Sequence, residues 1–115
     1  MGKAEAGIQL YVLARLQILE RQGRVYYFRN NSFAGKIQRY NGTQGYIDNA
    51  KPGMPDVVMC LDGTFVGIEL KSLVGRQSDS QKRAQALIEG AGGKYYIVKT
   101  PEEFEAVITN KSTPS

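Results

Sequence analysis

Two strand-length apolar runs separated by only two residues constrain this chain more than any other feature in it. Asp56 to Leu61 and Thr64 to Lys71 are rich in Val, Ile, Leu and Met, and Asp62-Gly63 lies between them. An Asp-Gly pair supplies the positive φ that a tight hairpin turn needs at both central positions, and that turn matches the twist of the strands it joins. The spacing predicts an antiparallel hairpin in which partner numbers sum to 125, starting with Leu61 against Thr64. Alternation then assigns the faces. Val57, Met59, Leu61, Val66, Ile68 and Leu70 share one side, which reads as core, while Asp56, Glu69 and Lys71 share the other, with Asp56 directly opposite Glu69.

The flanking sequence supplies helices and further strands. Ile8, Val12, Leu16 and Leu19 form the apolar stripe of a helix, with Tyr11 beside it, Arg21 in its last turn and Gly23 as its stop. Val25 to Arg29 reads as a strand. Asn30 to Met54 is rich in Gly, Asn and polar residues, and is either a functional loop or hides a short strand near Lys36 to Tyr40. Ser78-x-x-Gln81 is a capping-box pattern opening a helix to about Glu89, which Gly90, Gly92 and Gly93 end. Lys94 to Val98 is another strand, and Thr100-Pro101-Glu102-Glu103 opens a last helix to about Thr109. The order α, β, loop or β, β, β, α, β, α predicts an α/β fold with a mixed central sheet flanked by helices. One domain spans residues 1–115, with a frayed tail over 110–115.

Composition narrows the chemistry. The chain has no histidine and one cysteine, Cys60, which excludes a Cys/His zinc site, a Ser-His-Asp triad and a Cys-His dyad. Catalysis must draw on carboxylates, Lys, Tyr, Ser or a metal held by oxygen. Cys60 sits in the apolar run Val57 to Leu61, so it reads as a buried structural thiol in a reducing compartment. The N-terminus lacks the pattern of a signal peptide, and Ile8 to Leu19 is broken by Gln9, Arg15 and Gln17, so the expected location is cytoplasmic with no membrane association.

The opposed carboxylates need explaining. Asp56 and Glu69 with Cβ atoms about 5 Å apart would repel by about 3 kcal/mol at an effective dielectric near 20. Lys71, on the same face, offsets part of this, and a divalent cation would offset more while matching an oxygen-only donor set. The alternative is an exposed hairpin face with an ordinary ion pair. The triplet Glu69-Leu70-Lys71 is weak by itself, since about one acidic-x-Lys triplet is expected by chance in a chain of this composition. Its place at the end of an apolar strand, opposite Pro55-Asp56, is what gives it meaning.

Pro55-Asp56 followed by Glu69-Leu70-Lys71 resembles the signature of the PD-(D/E)XK nuclease superfamily. Pro52-Gly53-x-Pro55-Asp56, Gly67 to Ser72, Gly75 to Gln81, Gly92-Gly93 and Asn30-Asn31-Ser32 are similar to the virus-type replication-repair nuclease (VRR-Nuc) family over about residues 5 to 105. Stand-alone members of that family are small phage or prophage proteins likened to Holliday junction resolvases. The resemblance implies a restriction-endonuclease-like core and a Mg²⁺- or Mn²⁺-dependent endonuclease of DNA repair, hydrolysing phosphodiester bonds in branched DNA. Asp56, Glu69 and the Leu70 carbonyl would hold the metal, and Lys71 would orient the attacking water and stabilise charge on the transition state. Gln81 matches a family glutamine that holds the lysine or the water, and its other reading is capping partner of Ser78. Glu5 matches the family's acidic residue on the first helix as a further metal ligand.

Residues 21 to 47 carry Arg21, Arg24, Arg29, Lys36 and Arg39 with no acidic residue, a local charge of +5 against +4 for the whole chain. Aromatic residues are interleaved with these cations, a composition suited to phosphate contacts and base stacking. Arg29, Asn30, Asn31, Ser32, Lys36 and Arg39 are the candidate nucleic-acid contacts, with Lys82 extending the track from the helix that follows the motif. Symmetric cutting of a four-way junction needs two active sites, which predicts a C₂ homodimer. Rival readings are a flap- or nick-directed nuclease and a metal-free nucleic-acid-binding module in which Asp56, Glu69 and Lys71 form only an ion-pair cluster.

Overall fold

The hairpin forms in the expected register. In a computed structural model, strands β4 (Val57–Leu61) and β5 (Thr64–Leu70) pair antiparallel, with Leu61 against Thr64 and Val57 against Ile68. Asp62 and Gly63 turn the chain at φ 48° and 87°, the left-handed conformation that the Asp-Gly pair accommodates. The structure describes residues 3–30, 34–48 and 52–111, with side chains over 7–30, 39–44 and 52–109.

The remaining described elements are α1 (Lys3–Arg21), β1 (Val25–Arg29), β2 (Ala34–Gln38), β3 (Gln44–Asp48), α2 (Asp79–Gly90), β6 (Lys94–Val98) and α3 (Pro101–Lys111). The fold is mixed α/β. A four-stranded sheet runs β1-β4-β5-β6, antiparallel except for the last pair, where α2 provides the crossover that a parallel neighbour requires. Among the described residues no helix is long and apolar enough to cross a membrane.

One face of the sheet is the core. Val57, Met59, Leu61, Val66, Ile68 and Leu70 are buried there against Ile8, Val12, Leu16 and Leu19 of α1 and Phe104, Val107 and Ile108 of α3. The apolar stripe read from the sequence is thus the buried stripe of α1. Two caps hold the later helices: Gln81 N–H donates to Ser78 Oγ at 3.2 Å, and Glu103 N–H donates to Thr100 Oγ1 at 3.1 Å. In return the Gln81 and Glu103 side chains accept from the Ser78 and Thr100 backbone N–H groups.

The opposite face is only partly covered. Tyr26, Cys60 and Phe65 lie in one cross-strand row on β1, β4 and β5, and all three are exposed. This corrects the expectation of a buried Cys60: β4 alternates, and Cys60 falls on the face opposite the core. α2 leaves a groove of about 680 Å³ lined by Pro55, Val58, Phe65, Leu87 and Ile88, among others.

The segment Asn30 to Met54 contains two strands rather than the single one considered. β2 and β3 form a separate two-stranded sheet, Ala34 against Asp48 and Gln38 against Gln44. Their turn is closed by Arg39 N–H to the Thr43 carbonyl at 2.8 Å, with Asn41 Oδ1 accepting from both Thr43 N–H and its hydroxyl. Gly35 and Gly45 interrupt the alternation that would have revealed these strands. α3 extends to Lys111, two residues beyond the expected end, while 112–115 lie outside the described residues.

Candidate metal and phosphate site

Asp56 stands immediately before β4 and is held from both neighbouring strands. Asn30 N–H, just past the end of β1, donates to its carbonyl at 2.8 Å, and Leu70 N–H on β5 donates to its carboxylate Oδ2, also at 2.8 Å. Continuing the register by one pair places Asp56 across from Glu69. A strand residue's N–H and C=O point to the same side, so the Leu70 carbonyl also faces Asp56, while the Leu70 side chain is anchored in the core.

Glu69 is 5% exposed, the buried charged residue of the described fold. Its Oε2 accepts from Gln81 Nε2 at 2.9 Å and lies 3.8 Å from Lys71 Nζ. Its Oε1 is buried with no hydrogen-bond partner. Burial first, and the Asp56 carboxylate second, push this acid up to about 8, against the opposing pull of Lys71. At neutral pH a proton therefore relieves the repulsion that the paired carboxylates would otherwise carry.

Supporting contacts explain why these side chains converge. Lys71 N–H donates to the Val98 carbonyl at 3.1 Å, fixing the residue against β6. A Cβ on Gly75 would stand 3.2 Å from Lys71 Cβ, so the turn from Ser72 to Gly75 closes over the lysine stem because that position is glycine. Gly53 meets the first turn of α2: its φ is +77°, and an added Cβ would lie 2.0 Å from the Ser80 carbonyl oxygen. Gly67 similarly leaves the space that Pro55 occupies, since a Cβ there would be 2.6 Å from Pro55 Cγ. Asp56 is thus locked between two glycine contacts, one on α2 and one on β5.

Gly53→Ala is expected to destabilise the fold by about 2–4 kcal/mol, because both its backbone conformation and the close approach forbid a side chain. Thermal melts of wild type and variant measure this. A Tm change of under about 1 °C would show that the Pro52 to Asp56 segment does not depend on its contact with α2.

Gln81 is the capping partner of Ser78 and also touches Glu69. Its carbonyl oxygen completes the capping box while its amide nitrogen holds Glu69. Its amide thus meets the Glu69 carboxylate, whereas the resemblance implies a bond to the lysine or the water. Arg29 is exposed at the end of β1, where it pairs with Val57 and so lies on the sheet face opposite Asp56 and Glu69. Lys82 is exposed on α2, one residue past Gln81. Arg39 is exposed in the β2–β3 turn, with its guanidinium donating to the Gln44 carbonyl at 2.7 Å. Arg24, by contrast, is engaged by Asp62 at 2.9 Å, which removes one charge from the basic segment. Lys36 lies within β2 and Glu5 within α1, their side chains outside the described residues, as are Asn31 and Ser32 altogether.

Among the described residues no three His, Cys, Asp or Glu side chains form a group that would hold a metal. The donors that do converge are the Asp56 and Glu69 carboxylates, the latter with its orphaned oxygen, and the Leu70 carbonyl. This hard-oxygen set fits Mg²⁺ or Mn²⁺, cations that retain several waters and need few protein ligands. One buried polar group went unnoticed in the sequence: Tyr95, on β6, is 4% exposed and its hydroxyl has no hydrogen-bond partner. The sequence carries no local signal for it, because its placement follows from the parallel pairing of β6 with β5.

No known protein-family model, curated protein or solved structure matches the chain.

Proposed function

We propose that the chain is a Mg²⁺- or Mn²⁺-dependent DNA endonuclease of the PD-(D/E)XK type, similar to the VRR-Nuc family, cutting branched DNA such as Holliday junctions. One observation carries the reading: Glu69 is buried beside Asp56 with an unpartnered oxygen, where Lys71 and Gln81 both converge on its other oxygen. Burying an acid that can be ionised only at a cost has little structural purpose, and such groups concentrate at functional sites.

Asp56, Glu69 and the Leu70 carbonyl would hold the cation, which when bound supplies Lewis-acid polarisation of the phosphate and a more acidic water. Lys71 contributes a positive charge beside the reacting phosphate: it orients the attacking water and stabilises the negative charge that builds on the phosphate oxygens. The spacing of Glu69 and Lys71 suits this division, because alternate strand residues reach one face while Leu70 holds the strand in the core. Gln81 fixes the orientation of Glu69. Arg29 and Lys82, both exposed, would provide phosphate contacts, with Arg39 and Lys36 as further cations. A cytoplasmic C₂ homodimer would present two such sites to the two strands of a junction. Gel filtration giving a monomer at micromolar concentration would remove the dimer.

The reaction is tested by incubating labelled four-way junction, flap and linear duplex with Mg²⁺, Mn²⁺ or EDTA. The expected result is cleavage that requires the cation, is strongest on the junction, and is lost in Asp56→Asn and Lys71→Ala. Cleavage that survives chelation sinks the mechanism, and binding without turnover, with no thermal shift on adding Mn²⁺, would identify a metal-free binding module instead. Neutralisation of about three to five phosphates gives a slope of log K against log salt of about −3 to −5. A binding isotherm that does not respond to salt would remove the basic residues from the interface.

A further inference from the structure

The geometry points to Tyr95 as a positioning residue of the same site, its hydroxyl donating to Glu69 Oε1 when that carboxyl is ionised and bound to a cation. This rests on the reading of Asp56 and Glu69 as metal ligands.

Strand register puts the two side chains together. Tyr95 pairs with Gly67 and Ile97 with Glu69 across the parallel β5–β6 ladder, so Tyr95 and Glu69 share the face beneath α2. Tyr96 packs against the core on the opposite face, and Val98 is buried within it. Gly67, directly beside Tyr95, carries no side chain, Pro55 takes the space where one would stand, and Glu69 lies two residues on. A diagonal neighbour of this kind is within reach of an aromatic side chain.

The hydrogen-bonding inventory is complementary. Among the described residues, Glu69 Oε1 and Tyr95 Oη are the two buried side-chain polar atoms without a partner. One is an acceptor and the other carries a donor. Gln77 lies beside the hydroxyl as a donor to its oxygen, which leaves the hydroxyl's own proton to be donated elsewhere. Gln81 already holds Oε2. Tyr95 would therefore hold the second oxygen, and the carboxylate would be clamped at both ends while each oxygen retains a lone pair for a cation.

Tyr95→Phe separates this role from a structural one. The variant loses a hydroxyl that has no partner in the metal-free protein, so its metal-free Tm should equal or exceed that of wild type. Its Mn²⁺ dissociation constant, measured by calorimetric titration at pH 8, should rise about tenfold, as for other groups that orient a metal ligand. Gln77→Ala should leave that constant unchanged. In wild type, Mg²⁺ should produce a red-shifted tyrosine difference spectrum that Tyr95→Phe lacks.

Equal Mn²⁺ affinity in wild type and Tyr95→Phe would overturn the assignment while leaving the metal site intact. A wild type that takes up no Mn²⁺ would remove the site and this inference together. If Tyr95→Phe does not fold, the wild-type spectrum decides: binding of Mg²⁺ with no tyrosine perturbation overturns the assignment.

Discussion

Glu69→Gln raises the Tm of the metal-free protein, abolishes stabilisation by Mn²⁺ and lowers DNA cleavage by about three orders of magnitude. The three effects have one origin. Glu69 is buried opposite Asp56, and its ionised form is disfavoured by both burial and the neighbouring charge. Gln keeps the shape and an oxygen able to accept from Gln81 while removing the titratable proton, so the metal-free fold is relieved, most of all at alkaline pH. The same substitution removes an anionic ligand and leaves the cation dependent on Asp56 and the Leu70 carbonyl. A loss of several kcal/mol of charge stabilisation in the transition state corresponds to about 10³ in rate. Thermal melts with and without Mn²⁺, run beside single-turnover cleavage, read all three. A lowered metal-free Tm with unchanged cleavage would make Glu69 a structural residue.

A second large effect is expected with pH, and stability and metal binding should respond in opposite directions. Glu69 titrates at about 8 in the folded chain against an ordinary 4.5. Between these values the folded state holds a proton that the unfolded state has released, so unfolding releases a proton and is favoured as pH rises. The stability that the protonated acid contributes is fully present below about 4.5, declines through the interval and is gone above about 8. A cation must displace that proton. Mn²⁺ affinity should accordingly climb by about tenfold per pH unit toward pH 8 and level off above it. Melts from pH 5 to 9 and titrations over the same range test the pair of trends, and Glu69→Gln should flatten both. A metal-free Tm that rises steadily with pH would contradict the protonated carboxyl.

Local patterns carried much of this into the sequence. Asp62-Gly63 and the alternation around it specify the hairpin and its register, because a two-residue turn leaves no freedom in pairing and a one-residue slip would turn the core side chains outward. That register alone sets Asp56 across from Glu69. The Ser78-x-x-Gln81 box likewise names the helix that brings Gln81 to the site. What the sequence concealed depends on contacts between distant segments. The second bond of Gln81, to Glu69, exists because α2 crosses over the end of β5, and the contacts of Gly53 and Gly67 exist because Pro52 to Asp56 threads between them. Tyr95 looks like any strand aromatic until the parallel register sets it beside Gly67. Cys60 is exposed despite its apolar neighbours, because a short apolar run does not say which of its alternate residues a neighbouring helix covers.

The most direct test of the site is calorimetric titration of metal-free wild type, Asp56→Asn and Glu69→Gln with Mn²⁺ at pH 7, repeated in buffers of different ionisation enthalpy. The expected result is saturable binding by wild type with release of about one proton, and loss of that binding in both variants. Binding that is equal in all three proteins, or uptake by wild type with no proton released, would contradict a cation held between Asp56 and Glu69.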